Sequence, residues 1–430
     1  MANLSISNFL SIKKADIRLK RINIFIGPQA QGKSIISKLV YFFKELPSSI
    51  VEAAIEDKDK RQFDALCRDR FVNIFPTYAW EKTQFLIVYD NGFHAIFIEN
   101  QRVGNSFKFT ITYTSSINKA LSAGRKIGRT EVVFDTELNS VSRVRSSAGE
   151  VRKAIVNILY KDSSWPRAEQ TIYIPAGRSF FSNLQKSLFS FISSNIPIDY
   201  FLKAFGSIYE LAREPAFVRQ VMRDRPKSVA KLVEDLLCGK YMSIKGQDWI
   251  VNETSRVSLS NSSSGQQEVL PMALILSTWP YAGASIFKRS FIIEEPEAHL
   301  FPIAQGQVVS LIAEAYNAAS HGDFVITTHS PYILTALNNL IQASNAHISL
   351  GVGNSADVFE IIPQNQMVDF DDVTAYMVDK GSVKAILDDE YRLIQAESID
   401  AVSEYFSGKF EQLISLEMKA FEMNAGGEPI

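Results

Sequence analysis

The stretch INIFIGPQAQGKSIISKLVYFF, residues 22–43, predicts a buried strand, a glycine-rich loop and a helix in direct succession. Gly27–Ser34 has the spacing G-x-x-x-x-G-K-[ST], which is typical of loops that bind nucleotide phosphates. In such loops backbone amides and the positive end of the helix face phosphate oxygens, the lysine reaches the β- and γ-phosphates, and the hydroxyl ligates Mg²⁺. We therefore predict a nucleotide site that contains Gly27, Gln29, Gln31, Gly32, Lys33 and Ser34.

The composition is that of a packed globular protein. Of 430 residues, 46% are hydrophobic, and 45 Lys and Arg nearly balance 47 Asp and Glu. These values exclude a disordered scaffold and a fibrous repeat, and the length predicts two or three lobes or one large α/β domain with insertions. Cys67 and Cys238 lie far apart in the sequence, which excludes a disulfide framework and a zinc cluster and favours a reducing compartment.

The sequence predicts a soluble, cytoplasmic protein. Residues 1–19 alternate apolar and polar side chains like a strand and lack the apolar core of a signal peptide. The uncharged stretch Val269–Phe287 is interrupted by two prolines and a glycine, so we expect a buried helix there and not a membrane span.

Charge is distributed unevenly along the chain. Residues 366–430 carry 14 acidic and 5 basic side chains, a net of −9, so the remainder carries about +7. A mildly basic body does not by itself predict nucleic-acid binding, because most Lys and Arg side chains are solvated. The acidic tail argues against contact between that end and phosphates.

Three stretches in the second half of the chain carry polar groups suited to chemistry. SFIIEEPEAHLFP, residues 290–302, predicts a buried strand with Glu294 and Glu295 at its carboxyl end, where two carboxylates can position Mg²⁺ and activate a water. SNSSSGQQEVLP, residues 260–271, places a Ser-Gly loop before a helix, a pattern that taken alone is typical of a linker. DFVITTHSPYIL, residues 323–334, places His329 after a strand, where a single histidine is usually structural.

The order of these four motifs resembles the ABC-type ATPases of the SMC/RecF/OLD group. The resemblance implies that Glu294 helps Ser34 to hold Mg²⁺, that Glu295 activates the attacking water, and that His329 contacts the γ-phosphate of ATP. It identifies Ser263, Ser264, Gly265 and Gln266 as a signature loop that binds the nucleotide of a partner subunit. Arg178, in IPAGRS, resembles an arginine position of the group and is a candidate nucleotide-binding residue, with an ordinary surface arginine as the equal alternative.

The chain departs from the group at several positions. Glu294 stands where many members have Asp, Phe301 stands where many have His, and Ser262 and Ser264 replace the leucine and first glycine of the usual signature. Glu can still hold Mg²⁺-bound waters with a different reach. The glutamine of the family's Q-loop has no identified counterpart.

The resemblance implies ATP and Mg²⁺ as cofactors and a homodimer or higher homo-oligomer that closes on ATP and reopens after hydrolysis. Ser34 and Glu294 are 260 residues apart, which disfavours a compact transporter cassette, and the absence of heptads disfavours a long-armed SMC protein. An OLD-type nuclease is disfavoured because about 80 residues follow the last motif strand, and we interpret the acidic cluster at Asp369 and Asp371 as a solvated loop.

The remaining likeness is to the stand-alone ATPase subunits of bacterial anti-phage systems such as PARIS and Septu. This implies a separate effector protein, a nuclease or toxin, controlled by the nucleotide state. One alternative is a RecF-like DNA-repair ATPase that clamps duplex DNA directly, whose affinity would fall steeply with salt. Another is an ATP-binding scaffold with negligible turnover.

The expected fold class is α/β, an ABC/RecF-like P-loop ATPase with a mixed central sheet built from both chain ends. We predict an ATPase lobe with an antiparallel β subdomain (1–180), a helical insertion (181–245), a second ATPase lobe (246–365) and an acidic helical region (366–430). Antiparallel strands are expected at residues 85–103, joined by Asn91-Gly92, and at 108–113 and 131–134, and a further buried strand at 171–176. Prolines at 197, 215 and 226 should divide the insertion into short helices, and residues 399–414 should form an amphipathic helix that docks on the core or on a partner.

Overall fold

The structure of the protein is a computed structural model. It describes residues 2–132, 140–160, 168–184, 199–282 except 222, 224 and 245, 287–319, 321–351, 355–395 and 408–415.

The strands of the described residues form one large and two small sheets. They are β1 (Ala2–Phe9), β2 (Ile12–Leu19), β3 (Ile22–Ile26), β4 (Phe85–Asp90), β5 (Ala95–Val103), β6 (Ser106–Tyr113), β7 (Ala168–Ile174), β8 (Lys240–Ile244), β9 (Gln247–Val251), β10 (Arg256–Ser258), β11 (Phe287–Glu294), β12 (Phe324–Thr328), β13 (Val373–Asp379), β14 (Ser382–Ala385), β15 (Leu387–Asp388) and β16 (Leu393–Ile394).

The large sheet has 11 strands in the order β6-β5-β4-β1-β2-β14-β13-β3-β12-β11-β7. From β13 to β7 every neighbouring pair is parallel, whereas β2-β1-β4-β5-β6 is an antiparallel meander. The sheet is therefore mixed, and its parallel half aligns the carboxyl ends of β3, β7, β11 and β12 along one edge. The mixed α/β fold class is confirmed.

The described helices are α1 (Lys33–Lys44), α2 (Leu46–Ile55), α3 (Lys60–Ile74), α4 (Ser115–Val132), α5 (Ser140–Tyr160), α6 (Phe180–Leu184), α7 (Tyr200–Arg213), α8 (Pro215–Val221), α9 (Lys227–Leu237), α10 (Ser264–Thr278), α11 (Pro302–Ala318), α12 (Pro331–Leu350) and α13 (Ala356–Ile361). Residues 408–415 are also helical. Among the residues described, none of the helices is long and apolar enough to cross a membrane.

Two hydrophobic cores cover the two faces of the parallel half-sheet. Successive residues of a strand point to opposite faces, so Ile24 and Ile26 join one core while Phe25, between them, joins the other. The first core packs α7 and α9–α12 against the sheet, and the second packs α1–α5. Near the amino ends of the parallel strands, Asp323 forms ion pairs with Lys44 at 2.5 Å and Lys288 at 3.1 Å.

Most predicted elements are confirmed. Residues 85–103 form the β4–β5 hairpin with Gly92 in its turn at φ +83°, and residues 108–113 lie in β6. Residues 269–278 of the uncharged stretch lie in the buried helix α10. Short helices α7, α8 and α9 precede the signature loop and are separated at Pro215 and Pro226; Pro197 lies outside the described residues.

The strand predicted at residues 131–134 is wrong for its described part. Glu131 and Val132 end helix α4, and the two residues that follow lie outside the described chain. Ile117, Ala120 and Leu121 are buried at helical spacing against the α2 side of the sheet, and this longer helical pattern prevails over a four-residue β-rich run.

The helical prediction for residues 366–430 is wrong for its first part. Val373–Asp379 is β13, which lies inside the large sheet beside β3, and β14, β15 and β16 follow it. β13 forms a strand despite the acidic residues that flank it, because it is paired on both sides, with β3 and with β14. Residues 408–415 are helical as predicted, although Phe410 and Leu413 are exposed there, while residues 399–407 lie outside the description.

The structure also contains a feature that the sequence reading missed, a small antiparallel sheet of β8, β9 and β10. It lies between the short helices and the signature loop. The division proposed between residues 245 and 246 separates the neighbouring strands β8 and β9, and the domain boundaries stay a prediction.

Candidate functional site

The candidate site lies at the edge of the sheet where four parallel strands end. The phosphate loop follows β3, Glu294 is the last residue of β11, His329 follows β12, and Arg178 follows β7. Because β3-β12-β11-β7 are neighbours in that order, residues up to 302 positions apart in the sequence meet at one edge.

Two glycines give the phosphate loop its shape. Gly27 lies so close to β13 that a β-carbon there would be 2.1 Å from the Val378 carbonyl oxygen. Gly32 precedes α1 at φ +107°, a left-handed conformation that favours glycine. No side chain caps the start of α1, and the first amides of a helix lack intrahelical carbonyl partners, as an anion-binding helix start requires.

Gln29 and Gln31 lie on the outer part of the loop. Gln29 is exposed, whereas Gln31 is half-buried, and its Oε1 accepts a hydrogen bond from the Lys380 amide at 2.8 Å. The turn after β13 is thus hydrogen-bonded to the phosphate loop. A nucleotide-binding role for the two glutamines stays a prediction.

Lys33 lies buried at the centre of the site. Its Nζ donates to the carbonyl oxygens of Gly27 and Pro28, each at 2.8 Å, and lies 3.2 Å from His329 Nδ1. Burial lowers the pKa of Lys33, and the nearby Glu295 and Glu297 partly oppose this shift. A negative charge close to Nζ would therefore relieve an electrostatic cost.

Glu295 and His329 form a pair next to that lysine. His329 Nε2 lies 3.1 Å from Glu295 Oε1. Because the lysine ammonium has only donors, His329 Nδ1 accepts from it and Nε2 carries the proton that is donated to the carboxylate. The three side chains are thus linked into one chain of hydrogen bonds through the His329 ring.

Glu294 and Ser34 are the residues suited to a magnesium ion. Ser34 is exposed at the start of α1, and the Glu294 carboxylate is held loosely by the Ser37 hydroxyl and the Ala176 amide, each at 3.5 Å. The described residues contain no group of three His, Cys, Asp or Glu side chains that could hold a metal. One carboxylate and one hydroxyl nevertheless fit Mg²⁺, which keeps waters and phosphate oxygens as its other ligands.

Two buried neighbours of Glu294 were missed from the sequence. Ser37 Oγ lies 2.9 Å from the Tyr173 hydroxyl, so β7 and α1 meet at this carboxylate. Burial raises the pKa of Tyr173 well above its usual range, which keeps the phenol neutral. Nothing in the sequence marks these residues, because their contacts join segments 136 residues apart.

A third missed residue is Glu297, although it stands in the quoted acidic run. Its Oε1 accepts from the His329 amide at 2.7 Å, while its Oε2 is buried without a hydrogen-bond partner in the described part of the chain. Glu297 therefore fixes the backbone that carries the histidine.

The signature loop is an exposed helix start. Ser263 caps α10 through a reciprocal pair with Gln266: the Gln266 amide donates to Ser263 Oγ at 3.3 Å and the Ser263 amide donates to Gln266 Oε1 at 3.2 Å. Ser263 and Ser264 are exposed, and a β-carbon at Gly265 would lie 2.9 Å from the His299 carbonyl oxygen. The loop therefore packs on the segment after Glu295 and faces outward.

Arg178 does not have the place that a nucleotide contact requires, and this prediction needs correction. The side chain is 0% exposed, and its guanidinium donates to the backbone carbonyl oxygens of Pro175, Glu268, Glu294 and Glu295 at 2.7–3.1 Å. Both sequence alternatives, a phosphate ligand and a surface arginine, are thereby replaced by a buried residue that joins three segments.

The part of the sequence that carries the signature loop, Glu294, Glu295 and His329 matches a known domain family. Residues 181–334 match the AAA_15 family, described as an AAA ATPase domain. The match supports an ATPase in general. It contains the signature loop, the acidic strand end and His329, whereas the phosphate loop lies outside it.

Solved structures show distant similarity. An SMC head bound to the C-winged helix domain of ScpA has 9% identity and a TM-score of 0.37, covering 89% of this chain and 96% of that chain. The SMC head domain from Thermotoga maritima has 12% identity and a TM-score of 0.33, covering 78% and 90%. The recombination mediator RecF has 11% identity and a TM-score of 0.31, covering 89% and 97%. A comparison with curated protein sequences gives no match.

Proposed function

We propose that this protein binds and hydrolyses ATP at the carboxyl edge of its parallel strands. The observation that carries the proposal is the hydrogen-bonded chain Lys33–His329–Glu295, with distances of 3.2 and 3.1 Å, placed directly behind a phosphate-binding loop. Phosphoryl transfer to water is assisted by a cation on the phosphates, by a hydrogen-bond donor near the developing charge and by a residue that orients the water, and these three side chains can supply such groups.

Each side chain has a defined task in this proposal. Lys33 gives up its hydrogen bonds to the carbonyls of Gly27 and Pro28 and binds phosphate oxygens instead. The negative charge of the phosphate then stabilises the buried ammonium. Glu295 orients and deprotonates the attacking water, and His329 donates to the γ-phosphate. Ser34 and Glu294 would hold Mg²⁺, which neutralises charge on the phosphates when it is bound.

The active form in this proposal is a dimer with shared sites. Ser263 and Ser264 are exposed at the start of α10, where the first amides of a helix lack intrahelical partners and favour an anion. Phe301, 74% exposed, and Ile303, 73% exposed, lie beside the site and would become buried in such a dimer. The signature loop of one protomer would then cap the γ-phosphate held by the other.

The test is ATP turnover by the wild type and by Glu295→Gln, a substitution of equal size. We expect kcat to fall at least tenfold, since general-base catalysis contributes about 10²–10⁴-fold, while ATP affinity is retained. Lys33→Ala should instead weaken ATP binding. If Glu295→Gln hydrolyses ATP as fast as the wild type, the assignment of the base is wrong. Sedimentation with ATP should show the Glu295→Gln dimer, and a monomer would contradict the shared site.

The biological role we propose is control of a separate effector, a nuclease or toxin, in anti-phage defence. The support is the motif resemblance described above together with a body of only mild positive charge. In a host that carries the native gene cluster, wild type should lower phage plating efficiency, and Lys33→Ala and Glu295→Gln should restore it.

The same preparations separate the two candidate roles. A stoichiometric effector protein that copurifies with Glu295→Gln, with DNA absent, supports effector control. Duplex DNA bound with an affinity that falls steeply with salt, and no protein partner, would instead identify a RecF-like clamp.

A further inference from the structure

Arg178 connects the signature helix to the end of the acidic strand. Its Nη1 donates to the Glu294 carbonyl at 2.7 Å, and its Nη2 donates to the Glu295 carbonyl at 3.0 Å. Its Nε donates to the carbonyl of Glu268 on α10 at 3.1 Å. A single buried guanidinium therefore ties α10 to the backbone of both acidic residues.

The Glu268 side chain completes the link from the other direction. Glu268 is 2% exposed, and its carboxylate accepts hydrogen bonds from the backbone amides of Arg178 at 3.0 Å and Ser179 at 3.1 Å. It also lies 3.5 Å from Arg178 Nε. Because Glu268 stands in the second turn of α10, whose first residues are Ser264 and Gly265, a shift of the loop reaches Glu268 through a rigid helix.

The other end of the link acts on a strained residue. Glu295 has φ +45°, a left-handed conformation that costs a non-glycine residue about 1–2 kcal/mol. Its amide donates to the Thr327 carbonyl at 2.9 Å, and its carbonyl accepts from Arg178. Both sides of the residue are thus fixed, and Arg178 connects its carbonyl with the signature helix.

We propose that Arg178 and Glu268 are positioning residues that transmit occupation of the signature loop to the catalytic Glu295 of the same subunit. The inference rests on the proposed ATPase function. In a dimer with shared sites, the loop of one protomer contacts the nucleotide of its partner, so occupation of one site would set the position of Glu295 in the other. ATP turnover should consequently be cooperative, and the cooperativity should depend on Glu268.

The matched control is a second buried arginine–carboxylate pair, which takes no part in the hydrogen bonds that join α10 to Glu295. Arg213 Nε donates to Asp248 Oδ1 at 2.9 Å, and Asp248, like Glu268, is almost fully buried. Arg178→Lys and Glu268→Gln are compared with Arg213→Lys and Asp248→Asn, and circular dichroism reports whether each variant is folded.

We expect Arg178→Lys and Glu268→Gln to lower kcat at least tenfold with less than a threefold change in the Kd of a fluorescent ATP analogue. Glu268→Gln should also bring the Hill coefficient of ATP turnover toward 1. Unchanged kcat and Hill coefficient in folded Glu268→Gln, or equal losses in Asp248→Asn, would overturn the coupling.

Hydrogen exchange tests the link without any turnover. In nucleotide-free protein, Glu268→Gln should speed exchange of the Glu295 amide at least tenfold, and Asp248→Asn should leave it unchanged. Equal protection in Glu268→Gln and wild type would refute the inference even if ATP is hydrolysed. If the wild type does not hydrolyse ATP, the proposed function is refuted. The exchange rate of the Glu295 amide would still show whether Glu268 fixes the position of Glu295.

Discussion

Gly27→Ala tests the packing of the phosphate loop against β13. An added β-carbon would lie 2.1 Å from the Val378 carbonyl oxygen and 3.0 Å from its carbon, whereas ordinary contact begins at 3.4 Å. One of the two segments must therefore move by about 1 Å. Overpacking of this kind costs about 1–3 kcal/mol, and the unfavourable φ of +157° adds about 1 kcal/mol.

The neighbouring structure allows little relief. β13 is held between β3 and β14, so its displacement breaks ladder hydrogen bonds, and movement of the loop instead disturbs the lysine carbonyl contacts. We expect a loss of about 2–4 kcal/mol in the free energy of unfolding, together with weaker ATP binding.

The matched control is Gly92→Ala, in the exposed β4–β5 turn. Gly92 has φ +83° and no atom within 4 Å of the added β-carbon, so only backbone strain of about 1–2 kcal/mol applies. Urea unfolding followed by circular dichroism measures both variants, and titration with a fluorescent ATP analogue measures binding. If Gly27→Ala is no less stable than Gly92→Ala and binds ATP normally, the proposed close packing of the loop on β13 is wrong.

Three further predictions concern charge. Asp323→Asn should cost about 3–5 kcal/mol in urea unfolding, because Lys288 and Lys44 hold the pKa of this largely buried carboxyl well below its usual range and both would lose its negative charge. Asp235→Asn, in an exposed i,i+4 pair, should cost less than about 1 kcal/mol. Burial lowers the pKa of His94 to about 4 from 6.5, so a contribution of about 3 kcal/mol to the free energy of unfolding is present above pH 6.5 and is lost as the pH falls toward 4. Urea unfolding between pH 7 and 4 should therefore show a steeper loss of stability in the wild type than in His94→Gln. Equal pH dependence of the two proteins would contradict this. Lys33→Ala should weaken ATP-analogue binding at least tenfold by titration while keeping the wild-type circular dichroism spectrum, and a lost spectrum would assign the lysine a role in folding.

Local patterns predicted the parts of the site that stand at strand ends. A five-residue apolar strand followed by glycine and lysine at fixed spacing specifies its own strand, loop and helix, as β3, Gly32 and α1 show. Glu294 follows three buried apolar residues, so its position at a strand end could also be predicted. These predictions succeed because the decisive interactions lie within about ten residues of the chain.

The prediction for Arg178 failed for the opposite reason. A residue that follows a strand can face a ligand or turn inward, and the sequence near IPAGRS does not distinguish these outcomes. The carbonyl oxygens that hold its guanidinium come from residues up to 117 positions away. The same holds for Glu268, whose side chain reaches across 90 residues to the Arg178 amide.

The strand β13 shows most clearly what the sequence determined and what it did not. Val373–Asp379 contains the β-branched and aromatic residues of a strand, yet its acidic flanks suggested a solvated tail. Only the fold pairs it with Ile22–Ile26, some 350 residues earlier, and so presses Val378 against Gly27. By itself the sequence determined the strand–loop–helix of the phosphate site and the acidic strand end, since local spacing and burial patterns encode them. The neighbours of each strand, and the arginine that joins two of the motifs, were decided by tertiary structure, because long-range pairing depends on how the whole sheet buries its two faces.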